Sequence, residues 1–279
     1  MWTEITREQY RREGLRYASD MTDAEWAMVE PFMPAVKRLG RPRKGDLRGV
    51  VEGLLYILRT ACPWRLLPHD FPNRSTVQRY FYAWQTDGLW ERINFVLLQQ
   101  AREQAGREAS PSGGVIGSQS VKTTESGGPR GYDAGKTING RKRHIITDTT
   151  GLLVGAPVHG ADVPDRDGAV GVLASIRYLF PWLRHVFADG GYPGEKLETT
   201  LAPGWGRGRF AIVKRPDEAR AFCLLPRRWV VERTFAWLGR NRRLAKDFEA
   251  TIGSAEAWLY LASVQLLARR LARSGYHYR

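Results

Sequence analysis

The chain has 279 residues, 43% of them hydrophobic, which is enough apolar material for a sizeable core and excludes a disordered polymer. Its 43 Lys and Arg residues outnumber 29 Asp and Glu residues, and the net charge of +14 favours a polyanionic partner such as nucleic acid. No apolar run reaches the roughly 18 residues of a membrane span, and the charged N-terminus lacks the apolar core of a secretion signal.

The first 105 residues carry the apolar periodicity of helices. Thr22, followed three residues later by Glu25, predicts a capping box at the start of the first helix. Three more helices are predicted: one capped by Asp46 and running to about Thr60, one capped by Ser75, and one running from after Gly88 to about Gln104. The small, polar segment 106–114 is interpreted as a linker, which divides the chain into an all-α domain at 1–105 and a second domain at 115–279.

The second and third predicted helices are joined by the proline-rich connector CPWRLLPHDFPN. The third helix buries one apolar stripe and leaves a polar side that includes Arg79. This pattern predicts a helix-turn-helix-like DNA-binding unit, and a helical bundle without DNA contacts is the alternative. Arg41 and Arg43 lie in a basic loop that suits either an arm in a minor groove or a solvated linker.

Beyond residue 114 the periodicity changes to that of strands. Five strands are predicted, at residues 115–121, 141–148, 152–159, 184–189 and 208–214. Helices are predicted at residues 169–180, 195–200, 227–239 and 254–274. Three strands followed by alternating helices and strands predict an α/β domain with a mixed five-stranded sheet and flanking helices, which is the element order of the ribonuclease-H-like fold.

The segment Arg227 to Arg243, RRWVVERTFAWLGRNRR, is predicted to be a buried helix that stops near Gly239. Its surroundings are strongly basic, since residues 207–247 hold 12 basic and 4 acidic side chains. A single acid, Glu232, lies inside the apolar pattern. This acid suits either an ion pair with Arg228, four residues earlier, or a metal ligand.

Asp189 ends the fourth predicted strand and precedes two glycines. Ligands gather at the carboxyl ends of parallel strands, and the helix after the fifth strand can bring Glu232 to the same edge. Two or three carboxylates there would bind two Mg²⁺ ions, which together can hydrolyse a phosphodiester. A turn-capping role is the alternative for Asp189.

Other acids and the histidines suit structural roles. Asp148 ends the second strand, which should run antiparallel to the first and therefore place it at the opposite end of the sheet from Asp189. Capping explains the acids that precede a predicted helix, Asp162, Asp165 and Asp167. Structural roles, or at most phosphate contacts, are expected for the histidines without metal-ligand spacing, His144, His159 and His185.

Three stretches together resemble the DDE transposases of bacterial insertion sequences, in the subgroup with an Arg-x-x-x-Glu signature: SQSVKTTESGGPRGYDAGKTINGRKRHIITDTTGLL, ADGGY and LPRRWVVERTFAWLGRNRRL. The resemblance covers about residues 20–275. It implies a ribonuclease-H-like fold, Mg²⁺ or Mn²⁺ in a two-metal site, double-stranded DNA as partner (terminal inverted repeats and target DNA), and a homo-oligomer on DNA. It also implies a cytoplasmic, nucleoid-associated bacterial protein, and a reducing cytosol agrees with the two cysteines, Cys62 and Cys223, which fit no metal or disulfide pattern.

By this resemblance Asp189 and Glu232 are the second and third catalytic acids and metal ligands, and Arg228 is the signature arginine. The family carries its first acid in the context Ile-Asp-Ser-Gln-Ser, whereas this chain reads Ile116-Gly117-Ser118-Gln119-Ser120. Gly117 therefore occupies the first acidic position. With one carboxylate missing, DNA binding is expected to persist while cleavage is impaired.

The expected function is that of a transposase that binds inverted repeats, cleaves DNA with metal ions and transfers strands, with impaired activity. A non-catalytic, transposase-derived DNA-binding regulator and a ribonuclease-H-like nuclease without strand transfer are the alternatives. The residues expected to contact DNA are basic ones: Arg228, Arg233, Arg240, Arg242, Arg243, Lys142, Arg143, Arg79, Arg41 and Arg43.

Overall fold

The computed structural model describes residues 4, 8, 10–35, 46–188, 192, 209–212 and 228–274, with the backbone alone for residues 209–212, 228 and 274. The α-helices in these ranges are α1 (Asp23–Val29), α2 (Leu47–Thr60), α3 (Arg74–Thr86), α4 (Leu89–Gln104), α5 (Asp165–Ile176), α6 (Arg228–Gly239) and α7 (Ile252–Ser274). Short 3-10 helices occupy Glu30–Phe32, Trp64–Leu66 and Arg242–Leu244. None of the described helices combines the length and the apolar character needed to cross a membrane. The predicted helix at 195–200 and the basic loop with Arg41 and Arg43 lie outside the described residues.

The strands form one mixed sheet. They are β1 (Gly113–Lys122), β2 (Gly131–Asp133), β3 (Ile138–Asp148), β4 (Leu153–Gly155), β5 (Val158–Gly160), β6 (His185–Ala188) and β7 (Arg209–Ile212). The spatial order is β2-β3-β1-β6-β7, and both β4 and β5 pair with β3. β1 pairs antiparallel with β3 and parallel with β6, and β6 pairs parallel with β7. This mixed sheet with its helices confirms the predicted ribonuclease-H-like fold.

The predicted third strand is divided in two by Ala156 and Pro157. Pro157 has no N–H to give to the sheet, although its carbonyl oxygen accepts the backbone N–H of His144 at 3.0 Å. The three-residue strand β2 was not predicted, because it is too short to show a period-two pattern.

Local hydrogen bonds fix the starts of the N-terminal helices. The predicted capping box is confirmed, since the Glu25 N–H donates to Thr22 Oγ1 at 3.2 Å and the Thr22 N–H donates to the Glu25 carboxylate at 3.1 Å. Asp46 caps α2 as predicted, accepting two backbone N–H groups of the first turn. The predicted cap of α3, Ser75, was wrong by two residues: Asn73 is the cap, and its side chain accepts the backbone N–H of Ser75 at 3.0 Å.

α7 packs among the N-terminal helices, far from its position in the sequence. Its Trp258 stacks on Phe81 of α3 with 4.5 Å between the ring centroids. Its Ser263 hydroxyl donates to the Asn94 side chain of α4 at 2.6 Å, and that side chain donates to the Leu153 carbonyl of β4 at 2.9 Å. The segment 106–114 therefore separates two stretches of sequence that share one hydrophobic core.

Candidate active site and basic surface

Gly117 is buried in β1, opposite Ile145 of β3. α6 covers this face of the sheet and brings Val231 against the glycine. A Cβ atom built on Gly117 would lie 2.9 Å from Cγ1 and 3.0 Å from Cγ2 of Val231. Valine has one strongly preferred rotamer in a helix, so this side chain cannot simply turn away. The place where a first catalytic acid was expected is therefore filled from α6.

Glu232 follows Val231 on α6 and is exposed. The prediction that this helix is buried all round was wrong. Val230, Val231 and Leu238 face the interior at 3%, 4% and 2% exposure, whereas Trp229 is 40% exposed. The helix lies on the sheet with one face only, and its outer face pairs the aromatic rings with a cation instead of burying them. Glu232 is thus presented at the surface of the protein.

The other candidate acid, Asp189, follows the last residue of β6 in sequence and lies outside the described residues, as does the side chain of Arg228. Among the side chains that the structure does describe, no group of three or more His, Cys, Asp or Glu residues could hold a metal ion. This part of the site supplies one carboxylate, Glu232, and a glycine where a second was expected. The described residues do not fit a complete metal site.

Asp148 does not replace the missing acid. It pairs with Gly114 near the start of β1, and its carboxylate forms a fully buried ion pair with Arg102 of α4. The same carboxylate accepts the backbone N–H groups of Thr150 and Leu152, each at 2.9 Å. These bonds hold the turn between β3 and β4, so Asp148 is a structural residue.

His144, His159 and Tyr192 form a hydrogen-bonded chain. His159 donates from Nδ1 to the Gly160 carbonyl at 2.8 Å, and its Nε2 lies 2.8 Å from His144 Nδ1. His144 Nε2 in turn lies 3.0 Å from the Tyr192 hydroxyl oxygen. Burial, and next the neighbouring His159, hold the pKa of His144 well below its ordinary value. These contacts engage both ring nitrogens of His144 and of His159, whereas His185 is exposed.

Three basic residues that were expected to contact DNA are buried. Lys142 is 5% exposed and its Nζ lies 2.9 Å from Asp165 Oδ1. Arg143 is 3% exposed and donates to the Leu244 carbonyl at 2.6 Å. Arg243 is 7% exposed and ion-pairs with a buried glutamate. The structure revises the expectation for these residues, because their charges are satisfied inside the protein and do not face a ligand.

Arg233 lies between two tryptophans of its own helix. Its guanidinium carbon is 4.3 Å from the ring centroid of Trp229 and 4.5 Å from that of Trp237. It also donates to the Thr150 carbonyl at 2.8 Å. This arginine therefore ties α6 to the β3–β4 turn, with part of the side chain still open to solvent.

The predicted DNA-contact residues that stay exposed are Arg79, Arg240 and Arg242. Sequence reasoning missed Arg59, an exposed residue of α2. Its guanidinium donates to the Arg240 carbonyl at 2.7 Å, which places it beside Arg240, two residues before Arg242. We call Arg59, Arg240 and Arg242 the basic corner. The only sequence signal for Arg59 was that it is a basic residue in the last turn of α2.

Two family models match the chain. Residues 108–267 match the family described as "Transposase DDE domain", and residues 21–94 match "Putative transposase of IS4/5 family". The chain is 31% identical over 142 residues to the "Putative transposase for insertion sequence element IS402" of Burkholderia cepacia, which is 48% of this chain and 66% of that protein. It is 30% identical over 111 residues to the "Insertion element IS402 uncharacterized 16.2 kDa protein" of the same organism, 38% of this chain and 74% of that protein. No solved structure matches the chain.

Proposed function

Because this chain belongs to the DDE transposase family of bacterial insertion sequences, we propose that it binds the terminal inverted repeats of an insertion element but is impaired in DNA cleavage and strand transfer. The observation that carries the impairment is the packing of Val231 against Gly117, where a carboxylate is expected. The match covers about two thirds of the IS402 transposase. The complete transposition activity is therefore proposed for this chain and does not follow from the match alone.

DDE transposase domains generally use divalent metal ions. We propose Asp189 and Glu232 as the ligands for Mg²⁺ or Mn²⁺ in this chain, with Arg228 as a phosphate contact. Metal ions contribute several kcal/mol to phosphodiester cleavage when they are correctly placed. Each 1.4 kcal/mol of lost transition-state stabilisation slows a reaction about tenfold, so a missing ligand should lower the rate by orders of magnitude.

DNA binding does not depend on the missing carboxylate. We propose that the basic corner and Arg79 contact phosphates of double-stranded DNA, with Arg41 and Arg43, which precede α2 in sequence, as further contacts. The exposure of the basic corner and of Arg79 supports this role, since phosphate contacts need accessible cations. We also propose, as the family resemblance implies, that the active assembly is a homo-oligomer on paired DNA ends.

The test separates binding from cleavage. The full chain is incubated with a labelled duplex carrying the inverted repeat of its own element, first without metal and then with Mn²⁺. We expect a retarded complex that weakens steeply with salt, and no nicked product. Robust nicking by the chain as it stands contradicts the proposed impairment, whereas failure to prefer the repeat over a scrambled duplex contradicts inverted-repeat recognition.

A transposase-derived regulator without any catalytic role is the second candidate. The same observation favours it, since the first acidic position is both unoccupied by an acid and closed by Val231. Restored cleavage in a chain with an acid at position 117 and room for it would support an impaired transposase. A folded, DNA-bound and still inert variant would support the regulator.

A further inference from the structure

Large apolar side chains are exposed together in the short segment between α5 and β6. Tyr178 is 80% exposed, Leu179 52% and Trp182 58%. Single exposed apolar residues are common on protein surfaces, but several large ones so close together in sequence favour an interaction site.

Buried side chains and backbone hydrogen bonds anchor the segment between these exposed residues. Phe180 is 1% exposed and packs edge-on against Phe95 of α4, with 5.2 Å between ring centroids, and Leu183 is fully buried. The Leu183 N–H donates to the Phe180 carbonyl at 3.1 Å, and the Arg184 N–H donates to the Ser112 carbonyl at 2.9 Å. The backbone that carries the exposed rings is therefore anchored to the core, which lowers the entropy cost of binding a ligand there.

Each exposed ring carries an arginine. The guanidinium carbon of Arg177 lies 4.7 Å from the Tyr178 ring centroid, and that of Arg184 lies 5.1 Å from the Trp182 ring centroid. Residues 168–188 contain no Asp or Glu, so the segment itself offers these cations no carboxylate. We call Arg177, Tyr178, Trp182 and Arg184 the aromatic–arginine platform.

We propose that the aromatic–arginine platform binds unpaired nucleotides of DNA. Bases stack on the open faces of Tyr178 and Trp182, while phosphates contact Arg177 and Arg184. A nucleotide combines a flat π face with a negative charge, and the platform complements both. An acidic peptide brings the charge without the flat face, and a second copy of this chain brings a net charge of +14. Duplex DNA keeps its base faces inside the stack, which selects the single strand.

The platform lies apart from the candidate active site. It precedes β6, which begins at His185, whereas Asp189 comes after the last residue of that strand in sequence. The inference goes beyond the proposed function, because it requires neither DNA cleavage nor recognition of an inverted repeat.

The experiment measures fluorescence anisotropy of the full chain with a labelled oligonucleotide of about 15 nucleotides, as a single strand and as a blunt duplex of the same sequence, at one fixed salt concentration. Tyr178→Ala/Trp182→Ala should weaken single-strand binding about tenfold or more and change duplex binding less than about twofold. Tyr178→Phe/Trp182→Phe keeps both stacking faces and should retain single-strand binding. Tyr132→Ala, at another exposed aromatic residue (55%), is the matched control.

Arg177→Gln/Arg184→Gln should flatten the salt dependence of single-strand binding, because binding with fewer phosphate contacts releases fewer counterions from the DNA. Unchanged single-strand affinity in the double alanine variant overturns the proposal. So does an equal loss on single strand and duplex, which would make the platform a general electrostatic contact. If the double alanine variant shows a lower oligomer mass in light scattering and an unchanged single-strand affinity, the proposal is also overturned. That result assigns this surface to contacts between copies of the chain.

Discussion

Val231 of α6 occupies the space that any side chain at position 117 of β1 would need, since its Cγ1 lies 2.9 Å from the Cβ position of that residue. Val231 Cβ would be 3.6 Å away, which is an ordinary contact. The conflict therefore comes from the two methyl groups of Val231 alone. An acid placed at position 117 should therefore fit only when Val231 is replaced by a smaller residue.

Gly117→Asp alone should be destabilised by about 1–3 kcal/mol through overpacking. Since a chain of this size loses about 2–4 °C of melting temperature per kcal/mol, thermal unfolding will detect this change. Gly117→Asp/Val231→Ala should recover part of the loss, and of the two variants it should give more cleavage of inverted-repeat DNA with Mn²⁺.

Val231→Ala is the control, because it leaves a small cavity without supplying an acid and should cost about 1–3 kcal/mol. The two single changes should then add to more than the double change by about 1 kcal/mol or more, since the residues touch. Strict additivity in unfolding, or equal cleavage by Gly117→Asp with and without Val231→Ala, contradicts the coupling.

Arg242 and Arg243 are neighbours in sequence, but Arg242 is exposed and Arg243 is buried. We expect substitution of Arg243 to lower stability and substitution of Arg242 to weaken DNA binding. Arg243 is buried, with its Nη2 2.6 Å from the Glu249 carboxylate and its guanidinium carbon 4.8 Å from the Trp258 ring centroid. Arg243→Gln leaves Glu249 buried without its cation and should destabilise the protein by about 3–5 kcal/mol.

Arg242→Gln removes an exposed charge of the basic corner and should leave the melting temperature nearly unchanged. It should weaken duplex binding and lower the slope of log affinity against log salt by about 0.9 for one lost phosphate contact. Thermal unfolding and a salt series of binding isotherms on both variants check the pair. The reverse pattern, with Arg242 needed for stability and Arg243 for the salt slope, is incompatible with the observed burial.

The burial of Arg143 and Arg243 could not be predicted from the sequence. Lys142 and Arg143 were expected to contact DNA because they are basic. Arg143 donates to a carbonyl 101 positions away, in the segment after α6. Local patterns carry no information about such a partner. Capping, by contrast, is a contact across three residues, and for that reason the Thr22 and Asp46 caps were predicted correctly.

The same distinction applies to the candidate site. The sequence correctly predicted that Gly117 lies on a strand and Glu232 on a helix, because both follow from local sequence patterns. It could not show that Val231 fills the space beside the glycine, since this depends on how closely α6 packs on β1. The exposure of Trp229 was likewise hidden, because an apolar residue reads as a core residue until its neighbours are known.

Arg102→Met should destabilise the protein strongly, by about 3–5 kcal/mol, because it leaves the Asp148 carboxylate buried without its cation. Arg102→Lys retains the charge and should lose less. Duplex binding by the fraction that remains folded should match the parent chain, since neither residue reaches the surface. A variant of unchanged stability with altered DNA cleavage would instead make Asp148 a candidate catalytic acid.

Burial raises the pKa of Glu256 to about 7 from its ordinary value of 4.5, although its carboxylate accepts the Val158 N–H at 2.8 Å. The folded state therefore binds more protons than the unfolded state between these values, and the free energy of unfolding falls as the pH rises from about 4.5 to about 7. Glu256→Gln removes this dependence while keeping an oxygen to accept the N–H.

At pH 8, Glu256→Gln should be more stable than the parent chain by about 1–3 kcal/mol, and the difference should shrink towards pH 4.5. Melting temperatures of both proteins across this range measure it. A constant difference at all pH values would show that Glu256 does not titrate with the raised pKa.

The bond between Ser263 and Asn94 joins residues 169 positions apart. A ribosome adding about 5–20 residues per second has therefore exposed the N-terminal helices for roughly ten seconds or more before α7 exists to cover their aromatic faces. These helices cannot complete their core during synthesis, and contacts so distant along the chain make folding slow. A premature stop before α7 should yield an aggregation-prone fragment that lacks the stacked partner of Phe81. The N-terminal helices should therefore bind DNA stably only after α7 has been translated. DNA binding would then begin only when the protein is complete.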